Sequence, residues 1–445
     1  MKVIVLLLLL PQVILAQSEK IGSLDSTFAG IQFVQGLSWS QILAKAKEEN
    51  KYVFADCYAT WCAPCRLMKR EVFTKKQVGD FMNSHFISVQ VQVDSSKTDN
   101  EYVKSWYSDA NKITEQYNVT SFPTYLYFTP QGEIVHRYLG AVPDTGFIQI
   151  SANAVNPEKQ YYPLLENYLK GKRDYTKMSY LANISRNIKN DSMAIIIATE
   201  YLHNYLDNLK EAELYQKKYL NFVVDFLSIL SSKDRIFNLF YTKGDNVDKL
   251  INRKGLSKMI VEYIITKEDV KSMLGVQNEI PSGNPDWCKI ATVIQKKYNK
   301  QYADLIVLDA QLRWYDQKND FPQLIKYTIK KYEAYGLDTA GIGWALINNV
   351  AWDLFFKHCN NRDTLNKIIL WMEIINRQHP DSYIDLDTYA NLLYKAGRRE
   401  EAIAWEEKVV KMDNEAARKE KRKQNHEFEE TLDKMRNGIP TWLEN

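Results

Sequence analysis

The stretch ADCYATWCAPCRLMKREVF, residues 55–73, holds three of the chain's five cysteines, and two of these, Cys62 and Cys65, stand three positions apart. The run KYVFADCYA, which leads into it, is compact and apolar, as expected of a buried strand. The residues that follow carry apolar side chains at helical spacing and predict a helix that begins near Cys62. The spacing by itself fits a redox couple, half of a metal site or a structural staple.

A position at the start of a helix changes the chemistry of Cys62. Unpaired backbone N–H groups and the helix dipole favour a thiolate over a thiol there. Pro64 suits the first turn, where a missing N–H costs nothing. Cys65 lies nearly one turn further on the same side, so that the two sulfurs can form a disulfide. We therefore expect Cys62 to be the outer nucleophile and Cys65 the inner, resolving thiol.

On both sides of this segment, within residues 21–155, sequence patterns typical of strands alternate with patterns typical of helices. A strand pattern, FISVQVQVD, follows the predicted cysteine helix, and a polar helical stretch over 98–117 comes next. The segments SFPTYLYF and EIVHRYLG are separated by the turn TPQG and predict a hairpin. Further predicted elements are a short strand, IQFVQG, and a helix, SWSQILAKAKEEN, capped by Ser38. The pattern predicts an α/β domain in which helices cover a mixed sheet.

Three separated segments of this region resemble the thioredoxin family, in order and in spacing. The resemblance covers residues 31–152. The hallmark Trp-Cys-x-Pro-Cys follows a strand with a buried acid, SFPTYLYF is similar to the strand that carries a cis-proline, and HRYLGAV is similar to the closing strand. The matching residues are Asp56, Trp61, Cys62, Pro64, Cys65, Pro123 and Gly140.

The resemblance implies a role for each of these side chains. Asp56, with a pKa raised by burial, would accept a proton when Cys65 attacks a mixed disulfide. A cis Phe122–Pro123 bond would face the cysteines and dock an incoming peptide as an added strand. Trp61 would shield the disulfide and offer an apolar contact surface. Each residue also has a purely structural alternative. Asp56 could be a buried acid with local hydrogen bonds, Pro123 a trans proline in an edge strand, and Trp61 a tryptophan that only packs.

The sequence departs from the family pattern at two positions. Ala63 stands where a glycine is usual, and the residues between the cysteines tune the redox potential. Gln90 stands where a lysine is often found, so Asp56 would lack a charge partner. Cys57 should point to the opposite face of the strand as a buried, inert thiol, with a regulatory disulfide as the alternative. Cys288 and Cys359 are expected to be core thiols or to form one bridge.

Beyond residue 155 the sequence predicts a larger all-α region of helical repeats. Residues 156–340 have almost no strand pattern and favour antiparallel helix pairs. Residues 341–414 contain TYANLLYKAGRREEAIAWEEKVVKMD, which resembles a tetratricopeptide repeat, with Gly397 at the turn. Pro380 and Asn414, 34 residues apart, are expected at helix ends. Residues 415–445 are charged and predict a solvated helix or a frayed tail.

The N-terminal residues 1–16 predict a signal peptide, since Lys2 precedes a short apolar run and Ala16 suits a cleavage site. An uncleaved anchor is the alternative. Export to a bacterial periplasm follows, because the ending TWLEN is not a signal for retention in the endoplasmic reticulum. A net charge of +3 gives no reason to expect a nucleic-acid partner. No second close Cys/His pair completes a zinc site, so we expect neither metal nor cofactor.

These observations together predict an exported thiol–disulfide oxidoreductase that reduces protein disulfides through Cys62 and Cys65. Its helical repeats would bind a client or partner protein. A reductase in an oxidising compartment needs an upstream electron donor, which we expect to be a membrane-embedded thiol carrier. The alternatives are a binding scaffold with an inactive thioredoxin fold, or an oxidase or isomerase of the same family.

Overall fold

The computed structural model describes residues 29–274 and 283–442. The predicted signal peptide, residues 1–16, lies outside this range. The described residues form two compact units: the first runs up to Leu230 and includes Asp234–Ile236, and the second comprises Ser231–Lys233 and the residues from Phe237 onward. Within the described ranges, no helix combines the length and the apolar character that a bilayer span requires. The domain boundaries expected at residues 155, 340 and 414 stay predictions.

A four-stranded mixed sheet forms the centre of the first unit and confirms the predicted α/β class. The strands lie in the order β2-β1-β3-β4, with β1 parallel to β2 and antiparallel to β3, and β3 antiparallel to β4. Their bounds are β1 Tyr52–Tyr58, β2 Phe86–Gln92, β3 Thr124–Phe128 and β4 Ile134–Leu139.

Five helices belong to the predicted thioredoxin-like region, and apolar clusters fill the space on both faces of the sheet. One cluster contains Phe54 of β1, and the other contains Ala55 and Cys57, because successive side chains of a strand point to opposite faces. Ser38 caps α1 in a reciprocal capping box with Gln41, as the sequence predicts for Ser38. The helices are α1 Trp39–Glu49, α2 Ala63–Glu71, α3 Lys76–His85, α4 Glu101–Gln116 and α5 Asp144–Val155.

One expectation for this region differs from the structure. The segment predicted as a strand at residues 31–36 makes one isolated bridge, between Phe33 and Ser88, and no continuous ladder. Ser88 of β2 is buried, because it stands beside Phe54 in the pairing of β1 with β2 and the apolar cluster around Phe54 covers this face.

Gly79 in α3 is a position where a methyl group does not fit. A Cβ atom there would lie 2.3 Å from the Ala29 carbonyl oxygen, which is backbone and cannot swing away. We expect Gly79→Ala to lower the free energy of unfolding by about 1–3 kcal/mol, the usual cost of overpacking. Urea unfolding of the full chain, followed by near-UV circular dichroism, measures this change.

Gly146 in α5 provides the matched control, since its added Cβ would meet only ordinary contacts at 3.5 Å or more. Gly146→Ala should raise the free energy of unfolding by about 0.5–1 kcal/mol through helix propensity. Equal effects of the two substitutions would contradict the close backbone approach at Gly79.

The rest of the first unit is helical and packs on the edge strand β4. The backbone N–H of Tyr161 donates to Nδ1 of His136 at 3.1 Å, which joins α6 to this strand. The helices are α6 Tyr161–Leu169, α7 Tyr175–Asn187, α8 Asp191–Asn204, α9 Glu211–Leu214 and α10 Lys217–Asp225, with 3₁₀ turns at Leu206–Asn208 and Leu227–Ile229.

The described residues from 235 onward are helical, which confirms the predicted all-α region. The helices are α11 Arg235–Thr242, α12 Gly244–Ile251, α13 Leu256–Ile265, α14 Lys271–Leu274, α15 Trp287–Lys297, α16 Lys300–Gln317, α17 Phe321–Tyr335, α18 Gly343–Val350, α19 Arg362–Gln378, α20 Tyr383–Lys395, α21 Arg399–Glu420 and α22 His426–Arg436. Two π-helical segments, Thr266–Val270 and Ala351–Phe356, continue α13 and α18.

The repeat-like segment forms a helix pair, α20 and α21, with Gly397 at the turn and a φ of +86°. Ala390 and Ala402 are fully buried, which suits the close helix approach predicted for them. The expectation that Asn414 ends a helix is wrong, because α21 continues to Glu420. The 34-residue spacing from Pro380 therefore does not mark a second repeat boundary.

Residues 426–436 of the charged C-terminal segment form the helix α22, which is not the fully solvated helix that the sequence predicts. One face of this helix is buried through Phe428, Leu432 and Met435, which a frayed tail would leave exposed. Asp413 on α21 accepts hydrogen bonds from the Arg422 guanidinium at 2.7 Å and from the Asn425 backbone N–H at 2.8 Å. These bonds close the turn that brings α22 back against α21.

Candidate active site

The cysteine pair lies where β1 ends and α2 begins, as the sequence predicts. Cys62 is the N-cap of α2, with Ala63 and Pro64 in the first turn. The Cys62 Sγ atom accepts the backbone N–H of Cys65 at 3.1 Å. A hydrogen-bond donor at this position stabilises negative charge on the sulfur, in the same direction as the helix dipole. The local geometry therefore favours Cys62 as the sulfur that ionises more readily.

Cys62 and Cys65 form a disulfide, with their Cα atoms 5.3 Å apart. The pair packs with Ala59, Tyr58 and Phe122 in a small apolar cluster. Their exposed fractions, 3% for Cys62 and 6% for Cys65, do not rank the two sulfurs as outer and inner. The predicted division of roles therefore depends on the hydrogen bond to Cys62 rather than on exposure.

Asp56 lies on β1 and is buried, on the same face of the strand as Phe54. Burial raises the pKa of its carboxyl to about 7, while a hydrogen bond from Gln90 and the positive charge of Lys69 oppose the rise. The Gln90 Nε2 atom donates to Asp56 Oδ2 at 3.2 Å, across the parallel pairing of β1 with β2. Gln90 thus supplies a neutral partner where the family often has a lysine.

The raised pKa predicts a pH-dependent stability with a definite sign. Asp56 keeps its proton in the folded state between about pH 4 and 7, where the unfolded chain has lost it. The free energy of unfolding should therefore fall as the pH rises through this range. Asp56→Asn should remove the part of the fall that Asp56 contributes and raise the free energy of unfolding at pH 8 by up to about 4 kcal/mol.

Urea unfolding of wild type and Asp56→Asn at pH 5 and pH 8 measures this prediction. The difference in free energy of unfolding between the two proteins should be clearly larger at pH 8 than at pH 5. Asp80→Asn, an exposed acid on α3 that pairs with Lys76, is the matched control and should change stability little. A wild-type stability that rises between pH 5 and 8, with no gain in Asp56→Asn, would contradict the assignment.

The peptide bond between Phe122 and Pro123 is cis, as predicted. The Phe122 ring contacts the cysteine pair and packs edge-on against Trp61, with ring centroids 5.8 Å apart. Trp61 is 68% exposed, so its ring offers an apolar surface to solvent beside the disulfide. The structure therefore brings Trp61, Phe122 and the cysteines together on one face.

Sequence reasoning missed several contacts around this face. Thr60 donates its backbone N–H at 2.9 Å and its hydroxyl to the carboxylate of Asp94. The Arg66 Nη1 atom donates to the Thr60 carbonyl at 2.9 Å. These bonds fix the loop between β1 and α2, but Thr60 and Asp94 are 34 positions apart, and no local pattern marks them as partners.

The three remaining cysteines are unpaired. Cys57 is buried on the opposite face of β1, as predicted, and burial raises the pKa of its thiol, with a smaller contribution from Asp56. Cys359 is also buried, and burial raises its pKa. The predicted bridge between Cys288 and Cys359 is absent, and Cys288 is exposed rather than a core thiol.

A possible cation site lies elsewhere in the first unit. Ligand atoms of His203, Asp207 and Asp234 lie within 4.8 Å of one another. Asp207 Oδ1 already accepts the backbone N–H of Arg235 at 3.0 Å. These three residues are far from Cys62 and Cys65 along the chain, and they do not belong to the site described above.

The fold and the site together define a thioredoxin-like domain with a redox-capable cysteine pair. A sequence-family model described as a thioredoxin-like domain matches residues 39–154. Thioredoxin H4 of Arabidopsis thaliana is 31% identical over 103 residues, which cover 23% of this chain and 71% of that protein. Through these residues the chain belongs to the thioredoxin family.

Two further relatives match over different shares of their own length. Thioredoxin-2 of Pyricularia oryzae is 30% identical over 120 residues, 27% of this chain and 59% of that protein. Thiol:disulfide interchange protein DsbD of Pseudoalteromonas atlantica is 29% identical over 147 residues, 33% of this chain and 22% of that protein. The chain thus spans less than two thirds of each of these two relatives.

Proposed function

We propose that this protein is an exported thiol–disulfide oxidoreductase that reduces disulfides of client proteins. The observation that carries the proposal is the Cys62–Cys65 disulfide at the start of α2, with the Cys65 N–H aimed at the Cys62 sulfur. A pair that forms a disulfide across one helical turn closes a very small loop, which stabilises a fold little. Redox exchange is therefore a better explanation than a structural staple.

The reaction proceeds by two exchanges that start from the reduced pair. The Cys62 thiolate attacks one sulfur of a client disulfide, a Cys62–client bond forms, and the other client sulfur leaves as a thiolate that takes up a proton. Cys65, deprotonated with Asp56 as the proton acceptor, then attacks the Cys62 sulfur. The Cys62–Cys65 disulfide forms, and the second client thiol leaves with the proton. The client gains two electrons and two protons.

The oxidised pair must be reduced before the next turnover, and a dithiol supplies the two electrons and two protons. We propose a membrane-embedded thiol carrier as this donor, in keeping with the predicted export to a periplasm. The similarity to a thiol:disulfide interchange protein supports exchange with a thiol donor in general. The helical region would bind the client or a partner protein, and exposed Leu370 and Ile374, one turn apart on α19, support a contact surface there.

Trapping of mixed disulfides tests the proposal. Reduced Cys65→Ser, incubated with a disulfide-bonded protein substrate, should accumulate a covalent adduct through Cys62, because no second thiol resolves it. Cys62→Ser should form no such adduct. Non-reducing electrophoresis and mass spectrometry identify the bond. Adducts on Cys62→Ser but not on Cys65→Ser would reverse the two roles.

The main alternative is a binding scaffold whose thioredoxin fold carries no chemistry. Wild type and Cys62→Ser would then be equally inactive towards a disulfide substrate, and neither cysteine variant would form adducts. The redox potential of the pair separates the remaining alternatives: a value near about −270 mV indicates a reductant, and one near about −120 mV an oxidant.

A further inference from the structure

The turn between α7 and α8, residues 187–190, approaches the active-site face of the thioredoxin-like domain. It lies outside the residues 39–154 that match the family. It contacts this domain at two points: the edge strand β4 and the loop that precedes the cis-proline. Both contacts fall within the first compact unit.

The first contact fixes the turn against the sheet. The Leu139 backbone N–H donates to Asn187 Oδ1 at 3.1 Å, and Asn187 Nδ2 donates to the Leu139 carbonyl at 3.1 Å. One side-chain amide thus pairs with both polar backbone groups of a residue at the sheet edge, as a neighbouring strand would. These two hydrogen bonds hold the turn at the last residue of β4, immediately before Gly140.

The turn also has a defined backbone. Lys189 has a φ of +61°, the left-handed conformation that commonly follows the end of a helix. The Asn190 backbone N–H donates a hydrogen bond to the Ser185 carbonyl at 2.8 Å, and this bond caps the C-terminal end of α7. The position of Lys189 is therefore set by hydrogen bonds on both sides.

The second contact places a positive charge beside the cis-proline loop. The Lys189 ammonium donates to Ser121 Oγ at 2.7 Å, and Ser121 stands two positions before Pro123. The Ser121 carbonyl in turn accepts the Thr124 hydroxyl at 2.6 Å, so the loop is itself ordered by hydrogen bonds. Lys189 is exposed, and its charge is accessible to a chain bound along this loop.

Other cations border the same face. Arg66 and Lys69 lie on α2, where the Arg66 guanidinium donates to the carbonyl of Thr60, next to Trp61, and the charge of Lys69 acts on the Asp56 carboxyl. The carboxylate of Asp94 also lies at this face, but Thr60 engages it through two donors. The apolar centre formed by Trp61 and the Phe122 ring therefore has positive charge on the α2 side and on the Lys189 side.

We propose that Lys189 determines client specificity, so that the site favours disulfides flanked by acidic residues. This inference rests on the proposed function, since it names the class of client. Complementary charge at the rim of a binding site mainly accelerates association, and salt weakens the effect. Lys189 does not touch the sulfurs, so it acts on binding and not on the exchange itself.

The test uses the full chain and two peptide disulfides of equal length, one flanked by glutamates and one by lysines. At low salt, wild type should show a kcat/KM for the acidic peptide several times that for the basic one, by roughly 3–10-fold. Lys189→Glu should lower this ratio at least about threefold, with Lys189→Gln intermediate. In about 0.5 M salt, the wild-type preference should shrink.

Lys217→Glu is the matched control, because Lys217 is an exposed lysine of the same unit at the start of α10. It should leave the ratio of the two kcat/KM values unchanged. An equal ratio in wild type and Lys189→Glu would overturn the inference while the reductase activity stands. A wild type that turns over neither peptide would instead overturn the proposed function.

Discussion

Cys62→Ser is expected to lower the rate of disulfide reduction by roughly a thousandfold or more, the largest effect predicted for this protein. The physical reason is that a thiolate is the attacking species, and the Cys62 sulfur is the one that receives a backbone N–H at the start of α2. A serine hydroxyl at this position does not ionise near neutral pH. Cys57 cannot replace it, because that thiol is buried on the opposite face of β1.

The measurement is steady-state reduction of a protein disulfide, with a small dithiol as the source of electrons. Cys288→Ser is the control, because Cys288 is exposed and unpaired in the second unit. It should retain the wild-type rate. If Cys62→Ser kept more than a small fraction of that rate, the helix-start sulfur would not be the nucleophile.

The second large effect concerns two neighbouring carboxyl groups in the helix pair α20 and α21. Glu406 on α21 is 0% exposed, and within the described part of the chain its carboxylate oxygens have no hydrogen-bond partner other than the neighbouring Asp387 carboxyl. Burial raises its pKa, and the neighbouring charge of Asp387 raises it further. Burial also raises the pKa of Asp387, against hydrogen bonds from Glu406 and Asn391, and Glu427 on α22 adds a repulsive charge. The pair therefore holds protons at neutral pH that the unfolded chain would release.

The sign of the pH dependence follows from these raised pKa values. The folded state binds more protons than the unfolded chain above about pH 4.5, so the free energy of unfolding falls as the pH rises. Each proton retained contributes a slope of about 1.4 kcal/mol per pH unit. Asp387 is only half-buried, and solvent screening reduces its share. Between pH 6 and 8 we expect a loss of about 2–3 kcal/mol, mainly from Glu406.

Glu406→Gln should flatten this dependence and raise the free energy of unfolding at pH 8 by roughly 2 kcal/mol, because a neutral amide of the same size does not have to take up a proton on folding. Urea unfolding followed by tryptophan fluorescence at pH 6 and pH 8 measures both quantities, with Trp405 beside the substituted residue. Glu400→Gln, an exposed position on the same helix, should leave the slope as in wild type. An identical slope in Glu406→Gln would show that Glu406 does not retain the proton.

The element pattern of the first unit was largely predictable because its information is local. Ser38 predicts the start of α1, and the apolar run around Asp56 predicts β1. The turn before Glu133 predicts the hairpin of β3 and β4. The errors arose where a non-local neighbour decided the outcome. Residues 31–36 have the pattern of a strand but make a single isolated bridge, from Phe33 to Ser88 of β2. Asn414 looks like a helix end, yet α21 continues because its far end is held by α22.

The sequence by itself determined that Cys62 begins a helix after a strand with an acid at position 56, because spacing and local propensity set these features within about twenty residues. Only the tertiary structure decided that Gln90 is the partner of Asp56, that Lys189 reaches Ser121, and that Glu406 lies fully buried beside Asp387. Each of these relations joins residues on different elements. They depend on strand register and helix packing, which no short stretch of sequence encodes.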